Sequence, residues 1–379
     1  MPWKVNPVSQ IRQAFVLQVQ NLQAPVAVAA RNFGISRKTA YKWLRRHNLN
    51  PEAPLADRSR KPHLSPARTD SAIEKRVLEV RAQFGWGPRK IRALLAREQH
   101  LSMPSIRTVA NILRRHAPLA PTSNSDTPDL QRFQRDAPNQ LWQCDHKGPL
   151  EVGRQKTYPF SVLDDHSRFL LALVPCLDLS MKTAFEVLWN AFGEFGLPDA
   201  LLCDNAFSTT YSVPKTLSWF EAQLVRLGVQ PLHGRPYHPQ TQGKVERFHG
   251  TLERELWPQV RRDQLEHFRR DLDHWRLKVY NTRRPHEALA DDPPSARFHP
   301  SNRPRPQTLP TVEYPSDALL RRVSKAGDVS WRGYRFVAGH ALVGELVRIE
   351  ETDLEICLFY SWKKIRAIPR SVLQRDKIH

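Results

Sequence analysis

The chain has 379 residues, enough for two to four domains, and 40% of them are hydrophobic, so it can bury real cores. Its formal charge is +20, and the excess sits at one end: up to Pro118 there are 22 basic and 6 acidic residues, while the remainder carries 36 and 32. That is the footprint of a nucleic-acid-binding arm on a nearly balanced body. The longest apolar run, Phe169 to Leu177, is far short of a membrane span. The start, MPWKVNPVSQ, has no apolar secretory region, which points to an intracellular protein. Cys144, Cys176, Cys203 and Cys357 form no CxxC pair and have no histidine at zinc-finger spacing, so the expectation is buried thiols, with neither structural zinc nor a disulfide framework.

Residues 1–50 read as a first helix-turn-helix unit. Ile11, Phe15 and Val19 have helical spacing. In VAVAARNFGISRKTAYKWLRRH, Gly34 suits the positive φ of a tight turn and Ser36 is a good N-cap for the next helix. That second helix turns Ala40 and Leu44 inward and Arg37, Lys38, Lys42, Arg45 and Arg46 outward, as a helix that reads a major groove does. Residues 51–66 are Pro-rich and read as a linker. Residues 67–117 read as a second helix-turn-helix unit. Ser102 or Ser105 caps its last helix, on which Arg107, Arg114 and Arg115 are exposed. A linker at 118–134 follows.

From about Ala137 the texture is α/β. An apolar strand ends in WQCDHKG, and a hairpin turns at Asp164-Asp165-His166. An amphipathic helix ends near Gly196, and a short buried strand, Ala200 to Cys203, ends at Asp204. Strands followed by alternating helices and strands predict a layered α/β domain over 135–298. After a Pro-rich gap at 299–316, short strands in 317–379 predict a small SH3-like β-barrel, with Trp331, Tyr334, Phe336, Phe359 and Trp362 as its aromatic core.

Three carboxylates stand out by position. Asp145 and Asp204 end strands, and Glu246 lies in the first turns of the helix opened by HPQTQGKVERFHGTLE. Acids at the ends of adjacent strands converge on one sheet edge, and a helix beside that edge can add a third. Such acids repel unless a cation intervenes, and hard oxygen donors favour Mg²⁺ or Mn²⁺. Two such ions can clamp the attacking and leaving oxygens of a phosphoryl displacement. Lys244 and Arg247 flank Glu246, where phosphates would pass. A solvated basic face explains them nearly as well. Val245, Phe248, Leu252 and Leu256 form the helix's apolar stripe. Asp164 and Asp165 read as turn formers that pair with Arg168, and His249 as a capping or packing histidine. Arg284 and His286 read as structural rather than as a backbone-contacting patch.

The ordered set WQCDHKG, VLDDHSRF, CDNA, RPYHPQTQGKVERFHGTLERE and YNTRRPHEAL, with GISRKTAYKWL and GWGPRKIRALL upstream, resembles bacterial insertion-sequence transposases with a retroviral-integrase-type, RNase H-like core. The resemblance implies a multidomain fold: two all-α helix-turn-helix units, a central α/β RNase H-like core with a mixed sheet, and the C-terminal all-β barrel. It implies that Asp145, Asp204 and Glu246 are the DDE metal ligands, with two Mg²⁺ or Mn²⁺ ions per site. The implied reaction frees a 3′-OH at the element's end and joins it to target DNA. The implied partners are double-stranded DNA (element ends and target), further copies of the chain as a dimer or tetramer on DNA, and accessory transposition proteins. No membrane is involved, and the implied location is the bacterial cytoplasm, at the nucleoid. A silent or domesticated DNA-binding relative is the alternative. Three departures concern DNA contact: Glu253 stands where the family commonly has a basic residue, Ala206 where it commonly has glycine, and 42 positions separate Asp204 from Glu246.

Overall fold

The computed structural model describes residues 8–21, 25–57, 69–99, 103–116, 134–208, 216–234 and 243–371. The stretch at 235–242 that leads into the helix of Glu246, all but the first residue of the insertion expected at 208–215 between Asp204 and Glu246, and the capping alternative Ser102 lie outside these residues. The chain forms two compact units, 1–68 and 69–379.

In the first unit, helices α1 (Val8–Asn21), α2 (Val26–Asn32) and α3 (Arg37–Leu49) enclose Phe15, Val16, Ala29, Ala30, Ala40, Trp43 and Leu44. The α2–α3 turn forms as its residues predict: Gly34 has φ +63°, and the Ser36 hydroxyl accepts from Thr39 N. Ile11 is exposed, whereas Trp43 is core. Leu55, in the Pro-rich stretch, is also buried here, and Arg12 donates to its carbonyl.

The second unit opens with α4 (Ser71–Phe84), α5 (Pro88–Gln99) and α6 (Ile106–His116), packed around Val77, Ile91, Leu95, Val109 and Ile112. Asp70 caps α4, and Ser105 accepts from Thr108 N at the start of α6. These helices rest on the domain that follows. Glu255 accepts from Trp86 Nε1 (2.9 Å), Lys90 Nζ (2.5 Å) and Arg284 Nε (2.9 Å), and Arg89 pairs with Asp291 and Glu287.

That domain is a mixed six-stranded sheet with helices against it. Its strands are β1 (Trp142–His146), β2 (Leu150–Val152), β3 (Gln155–Asp164), β4 (Leu170–Cys176), β5 (Ala200–Cys203) and β6 (Gln230–His233). The order is β2-β3-β1-β5-β6, with β4 also on β3. The β1–β5 and β5–β6 pairs are parallel, and the others antiparallel. Helices α7 (Met181–Phe195) and α8 (Trp219–Arg226) cover a core that includes Trp142, Phe160, Phe192, Leu201 and Phe220. Gly196 ends α7 at φ +78°. Helix α9 (Gly243–Thr251) runs into a π-helical turn, Leu252–Leu256. Val245, Phe248, Leu252 and Leu256 are all buried, as their spacing predicts. Helix α10 (Leu265–His274) likewise continues as a π-helical turn, Trp275–Tyr280.

Residues 299–310 lie along this domain: Arg303 donates to the carbonyls of Pro198, Leu227 and Gly228, and Arg305 to that of Trp189. Beyond them, β7 (Leu320–Arg322), β10 (Leu346–Glu351), β11 (Glu355–Tyr360) and β12 (Lys363–Pro369) form an antiparallel sheet, and β8 (Asp328–Trp331) and β9 (Tyr334–Val337) a hairpin. Strand pairing among the described residues does not close these into a barrel. The core here is mostly aliphatic, with Val329, Leu342, Val347, Ile356, Leu358 and Tyr360 alongside Phe336. Of the five aromatics expected inside, only Phe336 is buried, and Trp362 is 46% exposed. Strand alternation explains Phe359: Leu358 and Tyr360 take the inner face, so Phe359 takes the other.

Candidate active site

The parallel register of β1 on β5 pairs Trp142 with Leu201 and Gln143 with Leu202. The next step brings the Cys144 and Cys203 thiols to 3.3 Å, both fully buried. Asp145 and Asp204 follow these cysteines directly, so both acids emerge at the same edge of the sheet. Asp204 caps a short 3₁₀ turn, accepting from Asn205 N at 2.6 Å. Glu246 comes to this edge from the first turn of α9, exposed, while the stripe from Val245 fixes the helix against the domain.

The electrostatics report the same gathering. Burial first, and then the nearby Asp204 and Glu246, push the Asp145 carboxyl up to about 7. A half-buried acid facing two more acids is unfavourable on its own and favourable around a cation. Asp145, Asp204 and Glu246 offer only oxygen donors, which fit Mg²⁺ or Mn²⁺ in kind. Among the described residues, no three acidic, cysteine or histidine side chains are drawn together closely enough to enclose an ion.

The neighbours of this edge are more committed than the sequence shows. Lys244, expected at DNA, reaches inward: its Nζ lies 2.5 Å from Oδ1 of Asp165, which is fully buried and also accepts from Gln143 Nε2 and Arg135 N. Burial lowers the Lys244 ammonium to about 8. Asp164, also fully buried, accepts from Ser167 N, Ser167 Oγ and Asn139 N, so both hairpin aspartates are structural. Arg168 donates to Gln134 Oε1 and the His166 carbonyl. Arg284 is buried on Glu255, and burial beside Arg284 lowers His286 to about 2. Arg247 is exposed on α9.

Two contacts were not legible in the sequence. Lys147, just past the end of β1, pairs with Glu253 at 2.6 Å, so a base from the sheet edge meets the acid on the helix after Glu246. His249 is buried, its Nε2 2.9 Å from Ser161 Oγ and its Nδ1 3.8 Å from Asp145 Oδ2. Burial and then Lys147 lower this imidazole to about 4. In the first unit, Arg37, Lys38, Lys42 and Arg45 are exposed on α3, while Arg46 is half-buried with its guanidinium 5.4 Å from the Trp43 ring. Arg107 and Arg114 are exposed on α6, whereas Arg115 pairs with Glu74 at 2.7 Å.

Residues 135–239 and 227–294 match family models described as integrase core domain. Residues 11–63 match a helix-turn-helix domain and residues 39–113 a homeodomain-like domain. The mixed sheet with acids at its edge is therefore an integrase core of RNase H-like type, joined to helix-turn-helix domains. A transposase assigned to insertion sequence element IS5376 of Geobacillus stearothermophilus is 24% identical over 344 residues, 89% of this chain and 82% of the relative. The Gag-Pro-Pol polyprotein of sheep pulmonary adenomatosis virus is 30% identical over 128 residues, 34% of this chain but 7% of that polyprotein. The chain is thus similar to an insertion-sequence transposase along most of its length and to a retroviral Gag-Pro-Pol polyprotein over about a third of it. Among solved structures, a simian T-cell lymphotropic virus intasome in complex with PP2A regulatory subunit B56 gamma aligns over 77% of this chain and 99% of that chain (16% identity, TM-score 0.37). The HTLV-2 integrase catalytic core domain in complex with magnesium aligns over 43% and 98% (17% identity, TM-score 0.32). No helix among the described residues is long and apolar enough to cross a membrane.

Proposed function

We propose that this protein is an active transposase that binds the terminal inverted repeats of a mobile element, cuts its ends by hydrolysis and joins them to target DNA. Water attacks a phosphodiester at the element's end, forming one P–O bond and releasing the 3′ oxygen. That 3′-OH then attacks a target phosphodiester, forming a new P–O bond as the target's 3′ oxygen leaves. Asp145, Asp204 and Glu246 would hold the divalent cations, Mg²⁺ or Mn²⁺, two per site. When bound, the cations polarise the scissile phosphate and steady the attacking and leaving oxygens. The chain's own part is to hold three carboxylates at one edge and keep them ionised in the cation's presence. The observation that carries this reading is the Asp145 carboxyl, half-buried at a strand end and raised by that burial and by Asp204 and Glu246.

Exposed Arg37, Lys38, Lys42 and Arg45 on α3, Arg107 and Arg114 on α6, and Arg247 on α9 supply the DNA-facing charge in this reading, with Arg46 and Lys244 more committed to the protein itself. The working division is residues 1–50 and 67–117 as DNA-binding domains, 135–298 as catalytic core and 317–379 as an SH3-like module, with connections at 51–66, 118–134 and 299–316. Two element ends must be held at once, so the working form is a dimer or tetramer on DNA in the bacterial cytoplasm, at the nucleoid, with accessory transposition proteins as further partners.

The test is end cleavage on labelled duplexes carrying the repeats that flank the gene, with Mg²⁺ or Mn²⁺, comparing wild type with Glu246→Gln. Cutting by wild type alone supports the reading. Equal cutting by both removes Glu246 from the site. Specific binding with no cutting by either favours a silent DNA-binding relative.

A further inference from the structure

The imidazole of His249 sits where nothing in the proposed reaction needs a histidine, yet it is 7% exposed and placed between groups of the candidate site. It lies three residues after Glu246 on α9, so the two share a helix turn. Across the sheet, Asp145 and Ser161 are register partners on β1 and β3. The Ser161 hydroxyl is 3.2 Å from the Asp145 carbonyl oxygen and 2.9 Å from His249 Nε2. With Nε2 held there, the ring turns Nδ1 to the Asp145 carboxylate, 3.8 Å from Oδ2.

These contacts close a ring: Asp145 backbone, Ser161 hydroxyl, His249 imidazole, Asp145 side chain. The ring ties the strand that carries one acid to the helix that carries another. A carboxylate that must share a cation with Glu246 benefits from a fixed distance to α9, and His249 is the side chain that spans it. The 3.8 Å separation is beyond hydrogen-bond distance and the imidazole, lowered to about 4, is neutral, so the ring limits where the carboxylate can swing by packing rather than by a charge pair.

We propose that His249, held by Ser161, is a positioning residue that orients Asp145 for cation binding. This rests on the reading of Asp145 as a cation ligand. Partners that orient a ligand typically cost about 10–100-fold in metal affinity when removed.

The experiment is titration of Mn²⁺ into the full-length protein without DNA, followed by electron paramagnetic resonance, with the thermal midpoint of each variant recorded. Asparagine places an amide atom where Nδ1 stands and loses the reach to Ser161, whereas glutamine reaches Ser161 and offers little to Asp145. Expected is a loss of about 10–100-fold in Mn²⁺ affinity for His249→Asn, which lacks the hold on Ser161, and for His249→Gln and His249→Ala, which lack the group beside Asp145, at similar thermal midpoints. Near-native affinity in the Asn, Gln or Ala variant overturns the proposal, because it leaves His249 a packing residue only. Mn²⁺ binding that survives Asp145→Asn overturns the cation reading itself, and with it the role of His249. Loss in Asp145→Asn together with indifference to every His249 variant sinks the positioning role alone.

Discussion

Lys90 Nζ lies 2.5 Å from Glu255 Oε1, although 165 residues separate them in sequence. The contact joins α5 of the second helical unit to the π-helical end of the helix that begins with the candidate ligand Glu246. Trp86 Nε1 and Arg284 Nε donate to the same carboxylate, so one buried acid gathers two sequence motifs, GWGPRK and NTRRPHEAL. A group that could have been a mobile arm is fastened to the core at a charged, desolvated point.

Removing that carboxylate leaves Lys90 and Arg284 uncompensated. Glu255→Gln should cost about 3–5 kcal/mol, the usual price of breaking a buried pair from one side. Urea unfolding measures it, and an unchanged midpoint would show that the network is idle.

The same network sets the acid limb of stability. Burial pushes the Glu255 carboxyl up, but hydrogen bonds and charge from Arg284 and Lys90 outweigh it and hold the group at about 2. Lys90 moves the opposite way to a simple ion pair: burial and Arg284 lower its ammonium. Below neutrality only the carboxylate titrates, so it decides the sign. Its contribution is complete above the ordinary carboxylate range, about 4.3, and is lost as pH falls toward 2. Glu255→Gln should flatten that acid limb in melts across this window.

Asp145 has the reverse sign. Its carboxyl is raised to about 7, so the cation-free protein is most stable when this group is protonated and loses stability as pH rises toward and through 7. Asp145→Asn should raise the cation-free thermal midpoint at about pH 8, by about 2–4 °C for each kcal/mol of relieved repulsion. It should also flatten the dependence between about pH 4 and 7, the span between the ordinary and the raised carboxyl. A lower midpoint for the variant would contradict the geometry.

Lys244 and Arg247 should separate cleanly. Lys244 neutralises a fully buried aspartate, so Lys244→Met should cost about 3 kcal/mol of stability and leave the salt dependence of DNA binding nearly intact. Exposed Arg247, if it meets phosphate, should lower the salt slope by about 1 when replaced by alanine, at little cost in stability. DNA-binding titrations at several salt concentrations, with melts alongside, test both.

On α3, Ser36→Ala should cost about 1 kcal/mol by removing the hydroxyl that accepts from Thr39 N. Lys38→Ala and Arg45→Ala should each lower the salt slope by about 1 without that loss. Equal effects on folding and binding in all three variants would mean that α3 is only a structural element.

Much of this was legible along the chain because it depends on neighbours in sequence. Periodicity placed the apolar stripe from Val245 to Leu256, Ser36 and Gly34 marked the helix-turn-helix, and strand ends marked Asp145 and Asp204. The sequence alone therefore determined which elements form and which acids stand at their ends. Tertiary structure decided what each charged or aromatic group does once there. Lys244 reads as a surface base but turns to Asp165, because a buried carboxylate needs a cation and the fold offers this one. Nothing in the sequence singles out Glu255, which becomes an anchor because donors from Trp86, Lys90 and Arg284 arrive from distant segments. Phe359 reads as core but faces away, because strand parity gives the inside to Leu358 and Tyr360. His249 meets Asp145 only when β1, β3 and α9 are packed together. Spacing along a chain fixes local geometry, whereas burial and partner choice depend on which surfaces meet, and no window of sequence contains both sides of a contact.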